Sequence, residues 1–253
     1  MNVHWRQRLT HEGASSIRLD LASGLRVRFD PLQPPVVPDV VILTWNEAER
    51  IKGVRTAILS GASPRVVGLP TLLQGLAREG EIQGIGAPCE VRGIRIEMAP
   101  YEPVSYVTRH EGMQKARSAL KDPFRAARRL LDRARLPPSK PAITRLSLPD
   151  GTTLVHLNGA LHASQEGSFL EEYARRWSGA DLVIVGCDYG HEATVEESAP
   201  WFEGRLLVLA DLFGDVRRSL GMPTVLLTPI ADRLTARGVP VAVLASGASL
   251  RFE

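Results

Sequence analysis

The 253-residue chain has few aromatic residues, only two cysteines and no long apolar run. Aromatic side chains make up 6% of the sequence, so the core has to be built mainly from Leu, Val, Ile and Ala. No apolar run approaches the roughly 18–20 residues that a membrane-spanning helix requires. Residues 1–8 have no apolar stretch after their charges, so we expect no signal peptide. We therefore expect a cytoplasmic protein without a transmembrane segment.

The two cysteines and the missing catalytic motifs exclude several common kinds of site. Cys89 and Cys187 lie far apart and belong to no CxxC or Cys/His cluster, which argues against a disulfide framework. Cys187 is a possible nucleophile at the end of a strand, but no base can be identified beside it, which favours a buried, inert thiol. The chain contains no GxSxG elbow, no Walker loop and no GxGxxG after a strand.

Positive charge is concentrated in one segment. The whole chain has a net charge of +3. Residues 109–135 contain nine Lys or Arg and three Asp or Glu, a balance of +6, so the remaining 22 basic and 25 acidic residues carry −3. Asp122-Pro123 is a typical helix start, and the helix after it would have an apolar arc and an arginine face. We predict a helical basic insert at about residues 107–141.

This Arg-rich insert predicts an interaction surface. Concentrated positive charge steers acidic partners, so we expect an acidic protein or a homo-oligomer to bind at the arginine face, which comprises Arg125, Arg128, Arg129 and Arg133. Nucleic acid and an anionic membrane surface are less favoured, because Phe124 is the only aromatic residue of this helix that could stack on a base or insert into lipid. The alternative is a surface helix whose apolar arc packs on the domain and whose arginines are solvated.

Apolar patterning predicts two similar halves. Residues 16–21 and 25–29 alternate around Ser23-Gly24, which predicts a hairpin. Residues 39–44 form a continuous apolar run typical of a strand buried on both faces, and a helix is predicted over residues 47–59. The second half repeats this style with a hairpin around Asp150-Gly151, a helix over residues 169–177 and buried strands over 181–186, 206–210 and 239–244. Thr194, with Glu197 three residues later, predicts a helix that starts at Thr194.

The order of these segments resembles the metallo-β-lactamase superfamily, most closely the group of the ascorbate-phosphate lactonase and related small metal-dependent hydrolases. The matching segments are Gly13-Ala14-Ser15, Asp30-Pro31, residues 38–44, Asn158-Gly159-Ala160, residues 180–185 and residues 246–250. The likeness covers nearly the whole chain except the basic insert. It implies one α/β domain over residues 1–253, a four-layer αβ/βα sandwich interrupted by the helical insert.

The same resemblance implies that the metal ligands have been replaced. The positions of the family's His-x-His-x-Asp-His motif are occupied by Trp45, Glu47, Glu49 and Arg50. The third histidine should fall near Tyr101-Glu102-Pro103, Ala160 takes the place of the bridging aspartate, and Asp211 that of the last histidine. Trp45 and Ala160 cannot bind a metal, and Arg50 brings a permanent cation that opposes one. We therefore expect the fold without the usual dinuclear site and no cofactor.

Two kinds of function stay open. The preferred one is a pseudo-hydrolase, a scaffold or ligand-binding protein. The alternative is an enzyme, either a metal-independent lyase or isomerase or a hydrolase with a carboxylate site at Glu47, Glu49 and Asp211, where Mg²⁺ or Mn²⁺ would fit better than zinc. We favour a pocket in which Arg50 pairs with one of these acids. The candidate pocket residues are Trp45, Glu47, Glu49, Arg50, Asn158, Asp188, His191 and Asp211, with His162 on a neighbouring loop. His191 is expected to be solvated and His156 to be structural.

Overall fold

The computed structural model describes residues 7–13, 16–31, 38–45, 48–59, 63–77, 84–102, 131, 140–161, 167–219 and 221–252. These residues form two mixed sheets of seven strands each. The chain builds most of the first sheet, then the whole second sheet, and returns to the first sheet with its last strand. Both sheets combine an antiparallel part with a parallel part, and the parallel parts position the candidate site.

The first sheet has the strand order β14-β1-β2-β3-β4-β5-β6. Its strands are β1 (Gln7–Gly13), β2 (Ser16–Asp20), β3 (Arg26–Phe29), β4 (Val40–Leu43), β5 (Arg65–Gly68), β6 (Gly84–Gly86) and β14 (Ser249–Phe252). Strands β14, β1, β2 and β3 pair antiparallel. From β3 to β6 all pairs are parallel.

The second sheet has the strand order β13-β12-β11-β10-β9-β8-β7. Its strands are β7 (Cys89–Val91), β8 (Ile94–Pro100), β9 (Ala142–Ser147), β10 (Thr153–His156), β11 (Leu182–Gly186), β12 (Leu206–Ala210) and β13 (Val241–Leu244). The pairs from β7 to β10 are antiparallel, and those from β10 to β13 are parallel. This sheet therefore mirrors the first, with a parallel half on one side.

The described helices connect the parallel strands. They are α1 (Ala48–Leu59), α2 (Pro70–Ala77), α3 (Gly167–Trp177), α4 (Glu192–Ser198), the 3₁₀ helix Ala199–Phe202, α5 (Gly214–Ser219) and α6 (Leu227–Ala236). Parallel neighbours need such crossovers, because a tight turn can only reverse the chain. None of the helices described is long and apolar enough to cross a membrane.

Three clusters of buried apolar residues hold these elements together. One contains residues of both sheets, such as Phe29 of β3 and Leu154 of β10. A second contains residues of the second sheet together with the helices α3, α4 and α6, including Trp177. The third joins β4 and β5 to α1 and α2. The continuous apolar run of β4 is explained by this arrangement: alternate residues belong to the cluster between the sheets and to the cluster with α1.

One helix starts earlier than the sequence predicts. Thr194 is not the N-cap of α4 but its third residue, since the helix begins at Glu192 with His191 at the N-cap position. The backbone has already turned at this point, because the His191 amide donates to the Asp188 carbonyl at 3.2 Å and the Val195 amide donates to the His191 carbonyl at 3.1 Å. The capping-box prediction at Thr194 was therefore wrong.

The helices predicted for the basic insert lie outside the described residues, and so do Arg125, Arg128, Arg129 and Arg133. Leu131 is described; it is helical and 59% exposed, although its pattern assigns it to the apolar arc. Elsewhere, Cys89 and Cys187 are both free, as the lack of cysteine clustering predicts.

Candidate functional site

Polar side chains collect at the carboxyl ends of the parallel strands, where the two sheets meet. Asp30, Thr44, Cys187 and Asp211 directly follow β3, β4, β11 and β12, and Asn158 comes two residues after β10. Contact between the two sheets at this edge is direct, because the Ala142 amide at the start of β9 donates to the Thr44 carbonyl at 2.8 Å. In α/β sheets, this edge is the usual place for a ligand site. We call it the strand-end edge.

A buried hydrogen-bond chain joins the two sheets at the strand-end edge. The Thr44 amide donates to Asp30 Oδ1 at 2.8 Å, and the Thr44 hydroxyl donates to Asp30 Oδ2. The same hydroxyl accepts a hydrogen bond from Asn158 Nδ2 at 3.0 Å. All three residues are fully buried. Thr44 is thus hydrogen-bonded to Asp30 within the first sheet and to Asn158 of the second sheet.

The backbone at both ends of this chain is unusual. Asp30 has φ 46° and Asn158 has φ 50°, the left-handed region, which Asp and Asn enter more readily than other residues with a side chain. Asn158 is also fixed by its carbonyl, which accepts a hydrogen bond from the Gly186 amide at 2.8 Å. A Cβ on Gly186 would lie 2.3 Å from that oxygen, so β11 can end there only with glycine. Non-glycine residues held in this conformation cluster at functional sites.

Asp188, two residues after β11, pairs with an arginine. Arg217 of α5 places Nη1 at 3.2 Å from Asp188 Oδ1 and donates from Nε to the Pro223 carbonyl at 2.6 Å. Its guanidinium also lies over the Tyr189 ring, at 5.4 Å from the ring centroid. Arg217 is only 8% exposed. The arginine is therefore a fixed structural partner that ties α5 to the loop after β11.

Asp211, directly after β12, faces the neighbouring arginine. Arg218 Nη1 lies 3.6 Å from Asp211 Oδ2, while Arg218 Nη2 donates to Asp215 Oδ1 at 2.5 Å. Asp215 Oδ2 in turn accepts a hydrogen bond from the Ser246 hydroxyl at 2.8 Å. A Cβ on Gly214 would lie 1.7 Å from Asp211 Oδ2, so the carboxylate sits directly against the start of α5. Arg218 therefore lies between two carboxylates, and Ser246 links Asp215 to the loop between β13 and β14.

The surroundings of Asp211 disfavour its charge. Burial raises the pKa of Asp211, and so do the nearby carboxylates of Asp188 and Asp215, against the lowering influence of Arg218 and the Gly214 amide. Asp211 Oδ1 and Asn158 Oδ1 are both buried and have no hydrogen-bond donor in the part of the chain that the structure describes. Each such acceptor costs about 1–3 kcal/mol.

Buried neighbours of this edge include a histidine and a thiol. His11 of β1 is fully buried. Burial lowers its pKa, although the Asp215 carboxylate and the carbonyls of Leu244 and Ala245 act in the opposite direction. Cys187 is also fully buried, and its pKa is raised by burial and by Asp211, Glu192 and Asp188. This thiol is therefore protonated at neutral pH, as expected for an inert cysteine.

Aromatic rings lie beside the charged groups. Trp45, directly after Thr44, packs edge-on against Phe213 with the ring centroids 6.2 Å apart. This contact brings the loop after β4 to the loop after β12. Tyr189, on the loop after β11, is 45% exposed. His156 is fully buried in β10 and lies 4.7 Å from the Phe29 ring, which fits the structural role expected for it.

The structure brings some predicted pocket residues together and leaves others undescribed. Trp45, Asn158, Asp188 and Asp211 all lie at the strand-end edge. His191 is partly exposed at the N-cap position of α4 and makes no side-chain cap. Glu47 and His162 lie outside the described residues; Glu49 and Arg50 lie in the first turn of α1, and their side chains are not described. Ala160 is buried in the cluster that includes α3 and α4.

The residues that pair with the acids were missed in the sequence. The prediction that Arg50 pairs with one of the acids rests on a side chain that is not described. The pairs that the structure does describe join Asp188 to Arg217 and Asp211 to Arg218. The available signal was the Arg-Arg dipeptide six residues after Asp211, within reach of the same strand end. Asp30 was noted only as the end of a hairpin, and Thr44 only as the end of a strand.

The described residues do not fit the ligand set of a dinuclear metallo-hydrolase. Among them, no group of three or more His, Cys, Asp or Glu could hold a metal ion. The carboxylates of Asp188 and Asp211 face guanidinium groups, and a fixed cation beside a carboxylate opposes a dication there. Thr44 and Asn158 are bonded to each other rather than presented to a common point. The described carboxylates at this edge are therefore paired with arginines rather than gathered around a common metal position.

Comparison with known proteins gives the fold. No family model and no curated protein sequence matches the chain. A solved structure of a protein assigned as a metal-dependent hydrolase, from Parabacteroides distasonis, matches with a TM-score of 0.57 at 11% identity, over 93% of this chain and 91% of that chain. A Cronobacter sakazakii metallo-β-lactamase with a HARLDQ motif gives a TM-score of 0.39 at 12% identity, over 69% of this chain and 74% of that chain, which is too low to argue from. Together with the two mixed sheets, the first likeness shows that this chain shares the α/β fold of that structure.

Proposed function

We propose that this chain is a pseudo-hydrolase: a single domain over residues 1–253, with the four-layer αβ/βα arrangement of the metallo-β-lactamase superfamily and a degenerate form of its metal motif. In this proposal the strand-end edge binds a ligand without the dinuclear metal chemistry of the family. By motif order, the sequence resembles the group of the ascorbate-phosphate lactonase.

One observation carries the proposal. Two successive residues of α5, Arg217 and Arg218, face the carboxylates that follow β11 and β12. A dication that used Asp188 or Asp211 as a ligand would lie within a few ångströms of a guanidinium, and repulsion at that distance is strong in a partly buried site. Arg217 cannot turn away without losing the Pro223 carbonyl and the Tyr189 ring. The arginine pairs therefore support a site in which guanidinium groups, rather than metal ions, neutralise the carboxylates.

The alternative is a hydrolase with a rebuilt carboxylate site at Glu47, Glu49 and Asp211, holding Mg²⁺, Mn²⁺ or Zn²⁺. One feature favours it: Asp211 Oδ1 has no hydrogen-bond donor in the described part of the chain. This site would require Arg218 to leave Asp211, which it contacts at 3.6 Å. A metal-independent lyase or isomerase that uses Glu47, Glu49 and Arg50 would instead require activity without any metal.

Metal content separates these possibilities. The full chain is purified without chelator, incubated with excess ZnCl₂ or MnCl₂, desalted and analysed for metals. The pseudo-hydrolase proposal predicts substoichiometric metal in wild type and in Asp211→Asn alike. One or more equivalents in wild type, lost in Asp211→Asn but kept in the control Asp232→Asn on the exposed side of α6, would establish the rebuilt carboxylate site instead.

We further propose that the Arg-rich insert binds an acidic protein partner or a second copy of the chain. Support comes from the sequence alone, since residues 109–135 carry +6 while the rest of the chain carries −3. Replacing Arg125, Arg128, Arg129 and Arg133 by Gln tests this, with light scattering and partner capture at low and high salt as readouts. We expect association to weaken in the variant and with salt. Unchanged association and partner capture would identify a solvated face.

A further inference from the structure

Two buried oxygen atoms at the strand-end edge accept no hydrogen bond from the described residues. Asn158 Oδ1 and Asp211 Oδ1 have no donor among the described residues. Asn158 is fully buried, and Asp211 is 8% exposed. In each side chain the other end is committed: Asn158 Nδ2 donates to Thr44, and Asp211 Oδ2 faces Arg218 and the start of α5. Both side chains are therefore held in place, and in each of them Oδ1 can still accept a hydrogen bond.

These two acceptors flank the end of one strand. The Gly186 amide of β11 donates to the Asn158 carbonyl at 2.8 Å. The Cys187 amide, one residue on, donates at 2.8 Å to the carbonyl of Ala210, the residue before Asp211. Asn158 and Asp211 thus follow β10 and β12, the two strands that flank β11.

Charge at the strand-end edge favours a cation over an anion. The carboxylates of Asp188, Asp211 and Asp215 outnumber the guanidinium groups of Arg217 and Arg218. Asp188 pairs with Arg217, and Asp211 and Asp215 pair with Arg218. When all are ionised, the balance is −1. A cleft with a negative balance raises the local concentration of cations.

Aromatic rings at the same place suit an organic cation. Trp45 follows Thr44, the bonding partner of Asn158, and Phe213 comes two residues after Asp211. The two rings are in edge contact, 6.2 Å between centroids. Ammonium groups are attracted to the faces of such rings, and indole is the strongest of them.

We propose that the strand-end edge binds a small organic ammonium ligand whose N–H groups donate to Asn158 Oδ1 and Asp211 Oδ1, beside the rings of Trp45 and Phe213. This inference rests on the ligand-binding function proposed above and names the ligand class. A divalent metal fits less well, because Arg218 repels a dication twice as strongly as it repels a singly charged ammonium group. Mg²⁺ or Ca²⁺ also takes six or more oxygens, and zinc takes three or four protein ligands. Both oxygens are shielded from water, so the ligand must displace neighbouring side chains as it enters.

Calorimetric titration of the full, metal-free chain tests the proposal with three matched probes. n-Butylamine carries a charge and N–H donors, n-butanol lacks the charge, and tetramethylammonium lacks the donors. We expect saturable binding of n-butylamine with one site per chain, and affinity weaker by about tenfold or more for the other two, since each loses a charged hydrogen bond. Absence of saturable n-butylamine binding, or equal affinity for all three probes, would overturn the proposal.

Variants locate the site. Asp211→Asn removes the charged acceptor but keeps its shape, and we expect about tenfold weaker n-butylamine binding. Asp232→Asn makes the same change on the exposed side of α6 and should bind as wild type does. Trp45→Leu, which leaves both oxygens intact, should also weaken binding. Thermal unfolding by circular dichroism confirms that each variant is folded.

The outcomes also separate this inference from the proposed function. If Asp211→Asn and Asp232→Asn bind n-butylamine equally well, the site is elsewhere and the inference is wrong. If no amine binds while the protein remains free of metal, the ammonium inference alone fails. If the protein retains a metal through Asp211, both fail.

Discussion

Thr44 is the residue whose replacement tests the buried chain between the sheets most sharply. Its hydroxyl donates to Asp30 Oδ2 and accepts from Asn158 Nδ2, and all three residues are fully buried. Thr44→Val keeps the shape of the side chain and removes only the hydroxyl. Asp30 Oδ2 then loses a donor, and Asn158 Nδ2 loses its acceptor.

The expected cost follows from these two losses. A buried polar group left without a partner costs about 1–3 kcal/mol, and more when it is charged. Loss of the acceptor of Asn158 Nδ2, together with loss of one hydrogen bond to the charged Asp30 carboxylate, predicts a decrease of roughly 2–6 kcal/mol in the free energy of unfolding. Thr44→Ser keeps the hydroxyl and removes one methyl group, so we expect a loss of only about 1 kcal/mol.

Urea unfolding monitored by circular dichroism measures these differences. The matched control is Thr56→Val in α1, because Thr56 is exposed and its hydroxyl donates only to the Lys52 carbonyl at 2.8 Å. We expect that control to change stability by less than about 0.5 kcal/mol. A Thr44→Val loss no larger than that of Thr56→Val or Thr44→Ser would refute the buried chain as a source of stability.

Three further predictions follow from the geometry of this edge. Gly186→Ala should lower the free energy of unfolding by roughly 3 kcal/mol or more, because its Cβ would lie 2.3 Å from a backbone carbonyl oxygen. A Cβ on Gly86 has its nearest contact at 3.9 Å, so Gly86→Ala should change the free energy of unfolding by no more than about 1 kcal/mol. Arg217→Met should lower the free energy of unfolding by about 2–4 kcal/mol, because it removes the guanidinium partner of the largely buried Asp188 carboxylate. Arg218→Met, at a side chain that is 53% exposed, should lower it by less than about 1 kcal/mol; equal losses in urea unfolding would contradict this. The lowered pKa of His11 means that, as the pH falls below the ordinary histidine value, the unfolded chain takes up a proton that the folded chain does not, so stability falls. His11→Gln should lose less stability than wild type between pH 7.5 and 5.5, and an identical loss would show that His11 does not contribute.

The strands could be predicted because their patterns are local. A strand with one buried face alternates apolar and polar residues, as residues 16–29 do. A strand buried on both faces, such as β4, is apolar throughout, and both patterns can be seen in neighbouring residues of the sequence. The family resemblance, rather than these patterns, named Asn158 and Asp211 as candidates. The parallel order of β10, β11 and β12 brings both of them to one edge with Asp188.

The ion-pair partners could not be predicted from the same patterns. Arg217 is 29 residues from Asp188, and the pair forms because α5 folds back on the loop after β11. No local periodicity encodes that return, so the sequence patterns do not identify Arg217 and Arg218 as partners. The start of α4 failed for a related reason, since the turn at residues 188–191 begins the helix before the capping-box residues are reached.

Thermal unfolding with and without chelator tests the central claim, that the fold is retained without the usual metal chemistry. A metal site occupied at a hundred times its Kd would stabilise the folded state by about 2.7 kcal/mol, or roughly 5–11 °C in Tm for a domain of this size. We predict that EDTA leaves the Tm of the purified protein unchanged and that added Zn²⁺ or Mn²⁺ does not raise it. A fall of several degrees with EDTA, restored by Zn²⁺ or Mn²⁺, would contradict the account.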